Sequence, residues 1–132
     1  MPVQLTQEMV DFVMRPDVVK VLATANEDGS PNVGPKASVR VWDDHSLIYA
    51  EFTGKHHYQN VRRDPRAAVA CIDWQARQGY RFVGRAEIHE GDQVFQEFVS
   101  RMGFKSPPKA VVRLLVEGVY ALSGPQVGER IL

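Results

Sequence analysis

Short runs of β-branched residues, each followed by a cluster of turn formers, constrain the fold of this chain more than any other feature. Residues 18–25 (VVKVLATA) lead into the turn formers NEDGSP, so the next strand is predicted to return antiparallel. That strand is predicted over residues 32–42, where polar and apolar residues alternate. A turn at residues 43–45 then leads into residues 46–52 (SLIYAEF). We therefore predict a three-stranded meander in this part of the chain.

Three further strands are predicted in the second half of the chain. Residues 67–73 (AAVACID) form an apolar run typical of a buried strand, and residues 79–89 alternate strictly. Gly84, in the middle of that alternation, indicates a bulge or bend. Residues 110–122 are long enough for a closing strand. Six strands with short connections predict a mainly β protein, a small closed antiparallel barrel.

Helix signals are few and short. Thr6 is a candidate N-cap for a helix that ends before Pro16. Residues 57–63 predict about two turns of helix, stopped by the Asp-Pro pair that follows. Asp92 caps the best helical pattern, and Gly103 is its predicted C-terminal residue. The fold class is thus a barrel with a few short helices.

Composition and charge exclude several classes of protein. The 132 residues predict one domain, residues 1–132, with 16 basic and 16 acidic side chains. Net neutrality argues against a sequence-independent nucleic-acid partner, because such proteins need a basic excess. The sequence has no apolar run of about 18 residues and no basic start followed by an apolar segment. With Cys71 as the one cysteine, we expect a cytoplasmic protein with no membrane partner.

The most suggestive chemistry is a group of cations within residues 31–64. On a neutral chain, this stretch gathers Lys36, Arg40, Lys55, His56 and His57 around one predicted strand pair and one glycine-containing loop. Loops that lead into helices expose backbone N–H groups that favour anions, and cations add charge-assisted hydrogen bonds. The stretch is interpreted as a cradle for the phosphate of a small cofactor. The alternative is a solvated turn.

Other catalytic signatures are missing from the sequence. It contains no GxGxxG, P-loop, GxSxG or HExxH motif. His56 and His57 are adjacent, and neighbours on an extended chain point to opposite faces, which disfavours a shared metal. We therefore predict no metal site and no catalytic group that the pattern alone identifies.

The ordered motifs resemble those of the pyridoxamine 5′-phosphate oxidase-related, FMN-binding split-barrel family. The resemblance covers about residues 18–90 and includes L-A-T…D-G-x-P-x-V-x-P, the small basic loop, and the N-V-x-x-D-P-R-x-A run at residues 60–68. It implies a six-stranded split barrel that forms a homodimer, with FMN in the grooves between the subunits. Matched residue by residue, it implies that the cofactor-binding residues are Lys36, Ala37, Ser38, Val39, Glu51, Phe52, Thr53, Lys55, His56, His57 and Asn60.

The resemblance leaves the reaction open. It implies an FMN-dependent oxidoreductase whose small-molecule substrate and electron donor are unknown, or a non-catalytic FMN-binding or carrier protein. A split barrel that binds F420 or haem is a third interpretation. Relatives often have Lys-Thr or Arg-Lys where this chain has His56-His57, so the residue that meets the phosphate also stays open. The C-terminal substrate-binding segment of pyridoxamine 5′-phosphate oxidase has no match here, so that activity is not expected.

Overall fold

The computed structural model describes residues 2–132 as one curled β-sheet with three short helices. The helices are α1 (Gln7–Met14), α2 (His56–Arg63) and α3 (Gln93–Met102). The strands are β1 (Val19–Ala25), β2 (Pro31–Pro35), β3 (Arg40–Asp43), β4 (Ser46–Glu51), β5 (Arg66–Asp73), β6 (Gln78–His89) and β7 (Ala110–Ala121). All six strand pairings are antiparallel, in the order β2-β1-β5-β6-β7-β4-β3. The mainly β prediction is confirmed.

The chain itself forces this sheet to curl. The two edge strands, β2 and β3, are consecutive in the sequence and are joined by residues 36–39 alone. Five peptide links span at most about 17 Å, whereas a flat sheet of seven strands spaced at about 4.8 Å is about 29 Å wide. The opposite edges must therefore approach each other. They do so without pairing, which gives an open, split barrel.

The prediction of one strand over residues 32–42 is wrong, and the strand count rises from six to seven. Lys36 N makes the last hydrogen bond to β1, at 2.9 Å from the Lys20 carbonyl oxygen, and Val39 N then donates to the Lys36 carbonyl at 3.3 Å. That turn separates β2, which pairs with β1, from β3, which pairs with β4. The expected three-stranded meander is accordingly two hairpins.

The core fills the barrel and extends beneath one helix. Fully buried side chains from most strands, including Leu22, Val39, Val69 and Phe82, pack inside the barrel. Every residue of β4 is buried, because its outward face lies under α3. Phe98 of that helix packs against this outward face. This second layer places the end of α3 beside the end of β4.

The glycine predicted to mark a bulge does so. The register between β6 and β7 shifts between Val83 and Gly84. A Cβ atom on Gly84 would lie 1.8 Å from the Leu115 carbonyl oxygen, so only glycine fits at this bulge between the paired strands.

The predicted helix signals are also confirmed. Thr6 Oγ1 accepts a hydrogen bond from Met9 N at 3.2 Å, and Asp92 Oδ1 accepts one from Phe95 N at 3.0 Å. Gly103 ends α3 with a φ of 63°, the left-handed conformation that glycine adopts readily. Among residues 2–132, none of the helices has the length and apolar character needed to cross a bilayer.

Candidate cofactor site

A buried carboxylate organises the loop that follows β4. The Glu51 side chain is 2% exposed, and its Oε1 lies 3.1 Å from Lys36 Nζ. Its Oε2 accepts hydrogen bonds from Gly54 N and Thr53 Oγ1, both at 3.2 Å. Thr53 Oγ1 in turn accepts from Lys55 N at 3.3 Å. Glu51 therefore fixes the loop between β4 and α2, the predicted basic loop, and ties it to the turn at residues 36–39.

The N-terminus of α2 has no side-chain cap. Its N-cap residue, Lys55, makes no capping hydrogen bond, and both Lys55 and His56 are exposed. Lys109 runs alongside the same loop: its backbone N donates to the Glu51 carbonyl at 2.8 Å, and a Cβ on Gly54 would lie 2.6 Å from its Cδ. Free N–H groups at the start of a helix, close to lysine side chains, favour an anion.

His57 and Asn60 attach α2 to β1. His57 Nδ1 lies 2.8 Å from Thr24 Oγ1, and Asn60 Nδ2 donates to Thr24 Oγ1 and Asn26 Oδ1 at 3.0 and 2.9 Å. Burial, with a smaller contribution from the nearby Lys36 charge, lowers the pKa of His57. His57 thus positions the helix as a largely neutral side chain.

An apolar groove opens beside the same turn. It has a volume of about 400 Å³ and is lined by Pro35, Lys36, Ala37, Ser38, Ala50, Phe52, Met102 and Phe104. Phe52 is 46% exposed, and its ring meets that of Phe104 edge to face, with centroids 5.1 Å apart. Ser38 Oγ accepts a hydrogen bond from Ala50 N at 2.9 Å and so fixes the turn against β4.

The structure brings most of the sequence-derived candidates together, in different roles. Ala37, Ser38 and Phe52 line the groove. Val39, in contrast, is fully buried in the barrel core. The other candidates lie at the buried carboxylate or around the start of α2: Lys36, Glu51, Thr53, Lys55, His56, His57 and Asn60.

Five residues of the site were absent from the sequence prediction: Pro35 and Ala50, which adjoin predicted residues, and Met102, Phe104 and Lys109. Met102 and Phe104 reach the groove because α3 packs on β4, and Lys109 reaches the loop because β7 pairs with β4. Phe104 follows the helix-ending Gly103, a position where apolar residues are common, and this was the one available signal. Lys109 directly precedes the predicted strand at residues 110–122, and the sequence around it gives no such signal.

The comparisons with known proteins agree with this fold. The family model for pyridoxamine 5′-phosphate oxidase matches residues 5–123. The structure of HupZ from Group A Streptococcus is 34% identical, with a TM-score of 0.85 over 97% of this chain and 99% of that chain. Two more distant structures share the fold. An FMN-binding protein from Syntrophomonas wolfei is 13% identical, with a TM-score of 0.73 over 89% of this chain and 88% of that chain. An F420 reductase is 21% identical, with a TM-score of 0.65 over 83% of this chain and 93% of that chain. The chain belongs to the pyridoxamine 5′-phosphate oxidase family.

Proposed function

We propose that this protein binds FMN, with the phosphate at the start of α2 and the isoalloxazine ring in the neighbouring groove. The observation that carries the proposal is that an uncapped helix N-terminus and an apolar groove meet at the loop between β4 and α2, where Phe52 lines the groove and Lys55 precedes the helix. FMN joins a dianionic phosphate to a planar ring through a short chain. The helix N-terminus suits the anionic phosphate, and the apolar groove suits the planar ring.

The charges at the loop suit a phosphate. Three lysines surround it, Lys36, Lys55 and Lys109, against the single carboxylate of Glu51. Counting these four groups leaves a surplus of positive charge, to which the N–H groups of α2 add partial positive charge. The Glu51–Lys36 pair holds the loop in place, so Lys55 and Lys109 supply the unpaired charge.

The groove suits the ring. A volume of about 400 Å³ lies in the range of small-molecule sites. Phe52 and Phe104 offer aromatic surface, and Ala37 and Ala50 leave space beside the turn. The groove is open on one side, which is expected of a ligand that a second subunit also covers.

We also propose a homodimer that uses the outer face of β2, β1, β5 and β6. The pairing registers place two cross-strand rows on that face. The rows are Val33, Ala23, Ala68 and Val83, and Pro35, Val21, Ala70 and Arg81, of which only Arg81 is charged. Val33 and Val19 are 63% and 51% exposed, an unusual state for β-branched residues of a sheet face. A second copy of the chain would cover this face and adjoin the groove at Pro35.

The proposed activity is that of an FMN-dependent oxidoreductase acting on a small molecule in the cytoplasm. A bound flavin supplies the redox chemistry, and this chain would hold the phosphate, orient the ring and limit access of water. The one ionisable side chain in the groove lining, Lys36, is paired with Glu51, so the lining offers no free acid or base. A non-catalytic FMN carrier is therefore the second candidate.

The absorption spectrum of the purified protein and a ligand titration test the cofactor. We expect tight uptake of FMN and an oxidised-flavin spectrum. Preferential binding of F420 or haem, each with its own spectrum, would overturn FMN while keeping the family. Reduction of bound FMN by NAD(P)H, followed by reoxidation with an added acceptor, distinguishes an oxidoreductase from a carrier.

A further inference from the structure

A buried lysine on β1 has no acidic partner. Lys20 is 7% exposed and lies beside Cys71 in the β1–β5 register. The one hydrogen bond of its ammonium group is a long one, 3.5 Å, to the Arg15 carbonyl oxygen. No carboxylate within residues 2–132 forms an ion pair with it. Buried lysines are rare unless they are paired, because an uncompensated charge loses its hydration.

Arg40, a second cation nearby, further disfavours the charged form of Lys20. Desolvation, and then the like charge of Arg40, lower the pKa of Lys20. Arg40 donates through Nη1 to the carbonyl oxygens of Ala37 and Val39, both at 2.9 Å. Within residues 2–132, its other N–H donors meet no acceptor and it forms no ion pair.

The acidic side chains near Lys20 form ion pairs with Arg15 instead. Arg15 donates two hydrogen bonds to Asp17, at 3.0 and 2.6 Å, and one to Asp73, at 2.7 Å. Cys71 offers no negative charge, since burial raises the pKa of its thiol to about 12. Within residues 2–132, the cations Arg15, Lys20 and Arg40 outnumber the acids Asp17 and Asp73 here, and Asp17 offsets the positive charge around Lys20 only in part.

Both cations line one cavity of about 380 Å³ between α1 and the turn at residues 36–39. Its remaining lining is apolar: Met14, Pro16, Val18, Val19, Pro35 and Ala37. The cavity shares Pro35 and Ala37 with the proposed flavin groove but none of that site's cations. It is therefore a separate site with its own charge.

We infer that this cavity binds a small organic anion, whose carboxylate or phosphate group meets Lys20 and Arg40 while its apolar part lies against Met14, Val18 and Pro35. An anion between the two cations relieves their repulsion and supplies the acceptor that Lys20 lacks. The inference does not depend on FMN binding.

Isothermal titration calorimetry of the flavin-free full-length chain tests the inference with benzoate and inorganic phosphate as probes. We expect at least one of them to bind with one site per chain, and the tighter one identifies the acid group. Lys20→Met and Arg40→Gln should each weaken that binding at least tenfold, in line with one lost charge-assisted hydrogen bond. Lys105→Met, the same change at an exposed lysine, should leave it unchanged.

Stability measurements keep the test independent of folding defects. Lys20→Met removes a buried charge and should unfold at the same or a higher temperature than the wild type. The bound probe should raise the unfolding temperature of the wild type but not that of the variant. Three results would overturn the inference: neither probe binds the wild type, Lys20→Met binds as tightly as the wild type, or only Lys55→Ala/His56→Ala loses binding. The last would place the probe at the flavin-phosphate loop instead.

Discussion

Lys36 Nζ lies 3.1 Å from Glu51 Oε1, and this ion pair ties the turn between the two sheet edges to the end of β4. It fastens the turn that separates β2 from β3 to β4, the strand that pairs with β3. The same carboxylate holds Gly54 N and Thr53 Oγ1. One buried acid therefore fixes both the turn at residues 36–39 and the loop proposed to hold phosphate.

Glu51→Gln should lower the free energy of unfolding by about 3 kcal/mol, because it leaves Lys36 unpaired and weakens the loop's hydrogen bonds. Urea unfolding of Glu51→Gln, Lys36→Met and the double variant measures the coupling. The double variant should lose at least about 1 kcal/mol less than the sum of the single variants. Strict additivity would contradict the structural role of the pair.

Gly84→Ala should destabilise the protein by about 3 kcal/mol or more, because the added methyl meets the Leu115 carbonyl oxygen. Gly34→Ala is the matched control. Its Cβ would lie 3.6 Å from His57 Nε2, an ordinary contact, so the cost should stay below about 1 kcal/mol. Equal unfolding midpoints for the two variants would show that the strands at the bulge can separate at little cost.

The features of the fold that could be predicted from the sequence are those encoded by residues close together in the chain. The helix ends could be predicted, because the capping residues Thr6 and Asp92 and the helix-ending Gly103 contact residues only a few positions away. Gly84 was readable because it interrupts a long alternation. The break at residues 36–39 was not, since the alternation of polar and apolar residues continues through the turn. Only pairing with strands at opposite edges separates β2 from β3.

The candidate site shows the same limit. The loop at Lys55 and His56 was found from its local cations. The burial of Glu51 and the approach of Lys109 follow from the pairing of β4 with β7, far apart in the sequence, and no local pattern encodes either. Lys20 lies within the first predicted strand, and no local pattern indicates that Asp17 and Asp73 form ion pairs with Arg15.

The stability of the protein should depend on pH through His57. Its pKa is lowered from 6.5 in the folded state, so below that value the unfolded chain binds a proton that the folded chain resists. Stability from this residue is present above about pH 6.5 and is lost as the pH falls further. Urea unfolding between pH 8 and pH 5 should show a steeper loss for the wild type than for His57→Gln. Parallel profiles would assign the acid sensitivity to other groups.

Val33→Asp should convert the proposed dimer to a monomer, because dimer formation would bury the new charge at an exposed apolar position on the outer face of β2. Val127→Asp is the matched control, since Val127 is 60% exposed against 63% for Val33 and lies outside that face. Size-exclusion chromatography with light scattering gives the mass of each variant. A wild-type monomer, or a dimer that survives Val33→Asp, would remove this face from the interface.

The most direct test of the central claim is a fluorescence titration that compares FMN with riboflavin, which has the same ring but no phosphate. With a phosphate site at the start of α2, the wild type should bind FMN far more tightly than riboflavin. Lys55→Ala/His56→Ala should weaken FMN binding by well over tenfold, since each charge-assisted phosphate bond contributes about 1.5–3 kcal/mol. Riboflavin binding should not change in this variant, and Lys105→Ala should alter neither affinity. Equal affinity of the wild type for the two flavins, or unaltered FMN binding by the double variant, would contradict a phosphate site at the start of α2.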